Sequence, residues 1–284
     1  MCRFKSVIAI VVTFLVILSG GCSSTPKRPD EVLEITDYLC TPAREFITTM
    51  NYLRERPNFG LKDQKAQEVA MSVAGGCRGA AQRFIQTTEM LLQAGIVGRE
   101  AVETGIVMSR GEDDQGEAFQ RVFRTAFLPR GLDMKPEDAL GLAKSLSIDL
   151  KGDRKKALQD FERLVDFCVD SSTLDLPRPK CGAIAGKVAV KGANSDEGVA
   201  TPYIKTVEFL TRSSDGPQLV LFQAFTIAEE LAINSPKALD NFLQGYKWLT
   251  SKSGLSLDRK DAVDMAKKIA LKTAQKRLVR FSSH

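Results

Sequence analysis

The chain reads as all-α: an array of about six antiparallel helix pairs, built either as an α-solenoid of HEAT-like repeats or as an irregular helical bundle. Three observations predict this. Past Asp30, apolar residues recur every three and four positions and no convincing alternating strand appears. Helix-start and helix-stop residues are frequent. An aromatic stands eight residues before a Gly-Leu pair at three places, which marks an internal repeat.

Each helix has a local justification. Phe119, Val122, Phe123, Ala126 and Phe127 form one stripe; Leu158, Phe161, Leu164, Val165 and Cys168 form a second; Ala262, Met265, Ala266, Ile269 and Thr273 form a third. Thr41-Pro42, Thr201-Pro202 and Ser235-Pro236 place a capping hydroxyl before a proline suited to the first helical position. Lys135-Pro136-Glu137-Asp138 puts proline and acids in a first turn, where the helix dipole favours them. Gly60, Gly95, Gly131 and Gly254 sit where helices should stop. These signals predict helices over 42–56, 63–74, 77–94, 99–110, 116–128, 136–147, 154–170, 179–189, 202–213, 217–233, 236–251 and 258–280. The segment 179–189 also has strand character, because Gly182 and Gly186 dilute a Val/Ala-rich run.

The repeat anchors are Tyr52 with Gly60-Leu61, Phe123 with Gly131-Leu132, and Tyr246 with Gly254-Leu255. Apolar Val69, Leu140 and Val263 follow in phase, as do Met71, Leu142 and Met265. The last two copies agree best: GLDMKPEDALGLAKSL against GLSLDRKDAVDMAKKI. A fainter copy starts at Thr173, with Ala185 matching Ala143 and Ala266. Anchors at 60, 131, 173 and 254 lie 71, 42 and 81 residues apart, which suits a unit of about 40 residues. The expected unit packs an aromatic near the turn, ends its first helix at Gly, and uses a small Ala to let its second helix approach.

The 284 residues carry 40 Lys+Arg against 35 Asp+Glu, a formal +5 that is too mild for a dedicated nucleic-acid binder. The 43% hydrophobic content supports a packed core and excludes a disordered chain. Histidine occurs once, as His284, which removes Ser-His-Asp and Cys-His nucleophiles and His-rich metal sites. No cofactor and no metal site is expected.

The N-terminus has a distinct grammar. Arg3 and Lys5 precede an apolar run from Val7 to Leu18 that is shorter than the ~20 residues of a spanning helix but has signal-peptide length. Ser19-Gly20-Gly21-Cys22 follows, then a polar tether, Ser23-Ser24-Thr25-Pro26-Lys27-Arg28-Pro29. This arrangement resembles a bacterial lipoprotein signal, with Ser19 where that family usually has Leu. The resemblance covers residues 1–22 and implies cleavage before Cys22, lipid attachment to Cys22, and, from Ser23, outer-membrane sorting. Two or three acyl chains anchor stably where one does not. The expected organisation is 1–21 signal peptide, 22–30 lipidated tether and 31–284 a helical-repeat domain. Losing residues 1–21 removes two bases and no acid, leaving 38 against 35, or +3.

Cys2 leaves with the signal. Of the remaining cysteines besides Cys22, Cys40 and Cys77 are equidistant from the Pro57–Gly60 turn, and Cys168 and Cys181 from a second turn near 174. Residues equidistant from an antiparallel turn lie side by side, so the expected disulfides are Cys40–Cys77 and Cys168–Cys181. Four buried thiols are the alternative; no C-x2-C spacing supports zinc.

Chemistry is otherwise sparse. Glu112, Asp113, Asp114 and Glu117 lack EF-hand spacing and read as a capping loop. Ser24 and Lys27 spell Ser-x-x-Lys in a tether with no pocket. Glu229 and Glu230 are adjacent and cannot face each other as a dyad. After Asp264, Lys267, Lys268, Lys272, Lys276, Arg277 and Arg280 occur without an acid. They could form a basic face for anionic headgroups or an acidic partner, or simply complement a helix C-terminus. The functional expectation is a non-enzymatic lipoprotein on the periplasmic side of the outer membrane, held there by Cys22 and binding an envelope protein. The alternatives are a carboxylate enzyme acting on cell-wall glycan, or a lipid- or peptide-binding module.

Overall fold

The computed structural model describes residues 41–56, 59–76, 78–170, 176–195 and 198–281; the side chains of 170 and 274–281 are not among what it describes. The signal, the tether and the expected Cys40–Cys77 pair lie outside these residues.

All regular structure among the described residues is helical. The twelve helices are α1 (Pro42–Glu55), α2 (Asp63–Ala74), α3 (Ala80–Gln93), α4 (Arg99–Arg110), α5 (Asp113–Phe127), α6 (Pro136–Ser147), α7 (Arg154–Asp170), α8 (Arg178–Gly192), α9 (Ala200–Arg212), α10 (Leu221–Asn234), α11 (Pro236–Thr250) and α12 (Arg259–Phe281). They match the expected set one for one, with differences mainly at N-termini. Helix α3 starts at Ala80 because Gly79 is left-handed (φ 69°). Helix α10 starts at Leu221 because Gln218 is left-handed (φ 56°). The acidic residues Asp113 and Asp114 are the first turn of α5 and not a separate loop. Segment 178–192 is helix throughout.

The helices form two compact units, one ending at Glu112 and one beginning at Asp113. In each, consecutive helices pair: α1 with α2 and α3 with α4 in the first; α5 with α6, α7 with α8, α9 with α10 and α11 with α12 in the second. Odd helices then stack on odd ones and even on even. In the first unit α1 packs on α3 and α2 on α4. In the second α5, α7, α9 and α11 run in one layer, and α6, α8, α10 and α12 in the other. This is the contact pattern of a two-layer helical-repeat array, in which each pair covers its neighbour's apolar stripe.

The repeat aromatics join the odd layer. Tyr52 meets Phe84 of α3 edge-on, centroids 6.1 Å apart, and its hydroxyl lies 3.0 Å from Thr88 Oγ1. Tyr246 meets Phe209 of α9 edge-on at 5.2 Å. Val69, Leu140 and Val263 are buried, as are Ala143, Ala185 and Ala266. Met71 and Met265 are exposed, whereas Leu142 at the same phase is half-buried against Gly186, so that position is not uniformly core. Ile269 is exposed as well, so among the described side chains the buried stripe of α12 is Ala262, Val263, Ala266 and Ala270.

The connecting turn repeats in structure, at a place the sequence pattern does not reveal. At Gly131, Gly216 and Gly254 a Cβ would collide with a carbonyl oxygen of the preceding helix, from Thr125, Phe209 and Trp248 respectively. Two residues later Asp133, Gln218 and Ser256 are left-handed, at φ 51°, 56° and 49°. The next N–H, of Met134, Leu219 and Leu257, then donates to the carbonyl of Ala126 (2.9 Å), Leu210 (2.7 Å) and Leu249 (2.9 Å). The α9–α10 copy escapes the Gly-Leu signature because Pro217 replaces Leu and the loop closes over one more residue. The Gly60 copy keeps its aromatic but builds a different turn: Gly60 is itself left-handed and nothing crowds it. The Thr173 copy lies outside the described residues.

Helix capping also departs from expectation. Thr41 and Ser235 make no side-chain cap bond, and Thr201 is inside α9. Proline at the first position removes one of the unpaired N–H groups of the first turn. Two buried carboxylates cap at long range instead. Glu45 of α1 accepts from the N–H groups of Gly79 (3.1 Å) and Ala81 (2.7 Å) at the start of α3. Asp160 of α7 accepts from Val199 (2.9 Å) and Ala200 (3.2 Å) at the start of α9. Each acid sits on an odd helix and caps the next odd helix, so the device fastens successive repeats and neutralises part of a helix dipole.

Asp160→Ala strands two buried N–H groups, and we expect it to lower unfolding stability by about 2–4 kcal/mol. Asp160→Asn, which keeps one acceptor, should cost less. Urea titration followed by circular dichroism checks both, and equal stability of the alanine variant and the parent would refute the capping role.

Candidate functional site: a groove on the even-helix layer

The even layer of the second unit carries a groove of about 860 Å³ bounded by α6, α8 and the end of α10. Its walls follow from glycine spacing. Gly182 and Gly186, four apart on α8, form a side-chain-free strip. A Cβ on Gly182 would lie 2.6 Å from Leu132 Cδ1 and 2.9 Å from Met134 Sδ. A Cβ on Gly186 would overlap Leu142. These two glycines therefore let α6 and the turn before it nest on α8, with the groove above the seam.

The floor is apolar: Leu142, Ala183, Val190 and Ile233. The rims are charged with opposite signs. Glu137 and Asp138 rise from the first turn of α6, and neither makes an ion pair with another described residue. On α8, Lys180, Lys187 and Lys191 stand along the opposite rim. Lys180 Nζ lies 4.1 Å from the ring centroid of Phe222, which is exposed. Lys187 pairs with Glu229 of α10 at 3.2 Å. From Pro179 to Lys191 the wall runs about 18 Å, at ~1.5 Å per helical residue.

Gly141 is the unusual member. It lies inside α6, lines the groove and is exposed, yet a Cβ there would meet nothing within 4 Å. Mid-helix glycine costs ~1 kcal/mol relative to alanine, and no described neighbour requires it. The groove floor is thus open to close backbone approach from outside.

A second groove, about 660 Å³, lies between α2 and α4 in the first unit. Its rim charges are used internally: Lys65 pairs with Glu68 at 2.7 Å and Arg99 with Glu103 at 2.5 Å. The α6–α8 groove keeps carboxylates that make no ion pair with another described residue and is the stronger candidate.

The residues expected from the sequence fall as follows. Cys168 of α7 and Cys181 of α8 stand at disulfide distance, Cα–Cα 5.9 Å, and both are buried. Cys22, Cys40 and Cys77 lie outside the described residues. Lys267 does not belong to a free basic face: it is half-buried and pairs with Glu230 of α10 at 2.7 Å. Glu229 and Glu230 thereby tie α10 to α8 on one side and to α12 on the other. Lys268 and Lys272 are exposed. Lys276, Arg277 and Arg280 continue α12, but their side chains are not described. The sequence did not single out Lys180, Lys187, Lys191 or Gly141; their i, i+7, i+11 spacing on one helix was the available signal for the lysines.

No group of three or more His, Cys, Asp or Glu is placed to hold a metal among the described residues, and no described helix is long and apolar enough to cross a membrane. Burial pushes the Tyr52 phenol up to about 12 and raises Tyr203 and Tyr246 as well. The hydroxyls of Tyr203 and Tyr246 are buried without a hydrogen-bond partner. These phenols stay protonated and belong to the core. No family model, curated protein or solved structure matches the chain.

A phenol whose folded pKa exceeds its unfolded value of ~10 ionises more readily in the unfolded chain. The stability this contributes is complete below pH ~10 and is lost as pH rises toward about 12. In a Tyr38→Phe variant, ultraviolet difference titration should show ionisation of the remaining three tyrosines coinciding with loss of helix; their ionisation near pH 10 with the helix signal intact would contradict it.

Proposed function

We propose that the chain is a lipid-anchored envelope lipoprotein whose helical array acts as a non-enzymatic scaffold. It binds a segment of an envelope protein in the groove between α6, α8 and α10. The anchor part of the reading rests on the N-terminal signal and Cys22, and Ser23 supports sorting to the outer membrane. The interaction part rests on one observation, the open Gly141 groove with an apolar floor and oppositely charged rims. Such a groove suits an amphipathic helix or strand that lays its apolar face on Leu142 and Val190. Binding is favoured over glycan hydrolysis because both groove carboxylates, Glu137 and Asp138, are neighbours on one wall. A glycosidase pair has to flank the scissile bond from two sides.

Cys22→Ala should move the protein out of the outer-membrane fraction, and quantitative retention there would sink the anchor. Gly141→Trp should leave the thermal transition within a few degrees of the parent, because the position is open. It should abolish the discrete adduct formed by photo-crosslinking in cells from position 142. Absence of any adduct in the parent, or its persistence in Gly141→Trp, would refute the groove as the binding surface.

A further inference from the structure

The α11–α12 pair carries large apolar side chains that no described residue covers. Here Trp248 of α11 and Met265 and Ile269 of α12 are 54%, 41% and 43% exposed. Gly245 faces Ala266 across the pair, where a Cβ would lie 3.9 Å from the alanine methyl, in ordinary contact. Trp248 is one turn on from Gly245, and Met265 and Ile269 flank Ala266, so the three occupy neighbouring strips of the two helices. The opposite flank of α12 is occupied by the Lys267–Glu230 pair to α10. Leu255, in the turn joining the two helices, is 53% exposed.

Charge accompanies this surface. Lys268 and Lys272 are exposed and make no ion pair among the described residues; they share a face with Met265 and Ile269 at i+3, i+4 and i+7 spacing. Asp261 and Asp264 are exposed at the N-terminal end of the helix, so the charge turns from negative to positive along it. No acid follows Asp264 in the chain. Tryptophan, aliphatic side chains and lysines together match the headgroup boundary of an anionic bilayer, where an indole sits at the interface and lysines meet phosphate.

We propose that the exposed strip of α11 and α12, with Trp248, Met265 and Ile269 as its apolar contacts and Lys268 and Lys272 as its cations, is a peripheral membrane surface that binds anionic phospholipid. It deepens the lipoprotein reading by naming which surface of the anchored array touches the leaflet. It does not require the lipid on Cys22 and is tested without it.

Trp248 is the chain's one tryptophan and reports on this surface directly. The mature chain with Cys22→Ala, hence unacylated, is titrated with vesicles of phosphatidylcholine alone and of phosphatidylcholine mixed with phosphatidylglycerol. The expected result is a blue shift of Trp248 emission and co-sedimentation with the phosphatidylglycerol vesicles only, both reversed by salt. Lys268→Glu with Lys272→Glu should lower the partition coefficient on the order of thirtyfold or more, since each lysine near an anionic surface is worth ~1 kcal/mol. Met265→Ser with Ile269→Ser should reduce the blue shift while circular dichroism is unchanged. Absence of a shift with anionic vesicles, equal binding to phosphatidylcholine, or an undiminished shift in the lysine variant overturns the proposal. A shift that follows protein concentration without vesicles identifies self-association and overturns it as well. None of these results depends on whether Cys22 is acylated in cells, which fractionation reads separately.

Discussion

Stacking of odd helix on odd and even on even is the interaction on which the rest of this structure depends. No pair can bury its apolar stripe by itself; the neighbouring pair completes it. The residues that matter most stand where consecutive repeats meet. Tyr52 reaches Phe84 and Tyr246 reaches Phe209 across the odd layer. Glu45 and Asp160 cap the helix one repeat ahead. Lys187–Glu229 and Lys267–Glu230 join α8, α10 and α12 in the even layer. The surface ion pairs add little energy individually, so the buried rings and carboxylates carry the coupling.

The same constraint creates the surfaces available for function. Where glycine lets two even helices close on each other, a shallow seam forms, and the side chains above it define a groove. Gly182 and Gly186 have this steric purpose, whereas Gly141 has none inside the chain. On α11 and α12, Trp248, Met265 and Ile269 face away from the core that the two helices share.

Much of the fold was legible in the sequence, because helical period, proline and glycine are local signals. All twelve helices were placed, including 178–192, whose two glycines blurred its character. They blurred it because they serve a contact with Leu132, Met134 and Leu142, forty or more residues away in sequence. The Cys168–Cys181 proximity was legible too, since residues equidistant from a hairpin turn must meet. The α9–α10 turn was not, because Pro217 and one extra residue hide the same backbone path behind a different string. The capping hydroxyls at Thr41 and Ser235 were inferred from local pattern, and the acids that do cap α3 and α9 come from another repeat.

The sequence by itself determined the all-α class, the helix boundaries to within a turn, the repeat in its best-preserved copies, and the signal-like N-terminus ending at Cys22. These rest on spacing along the chain, which sequence records directly. Only the tertiary structure decided which apolar residues are core and which are surface: Val263 and Ala266 are buried, while Met265 and Ile269 of the same helix are exposed. It also decided that Lys267 is paired with Glu230 while Lys268 is exposed, and that Gly141 faces a groove while Gly186 faces Leu142. The physical reason is that burial depends on which neighbour stacks on which side of a helix. Residues one position apart point about 100° apart, so their surroundings depend on contacts distant in sequence.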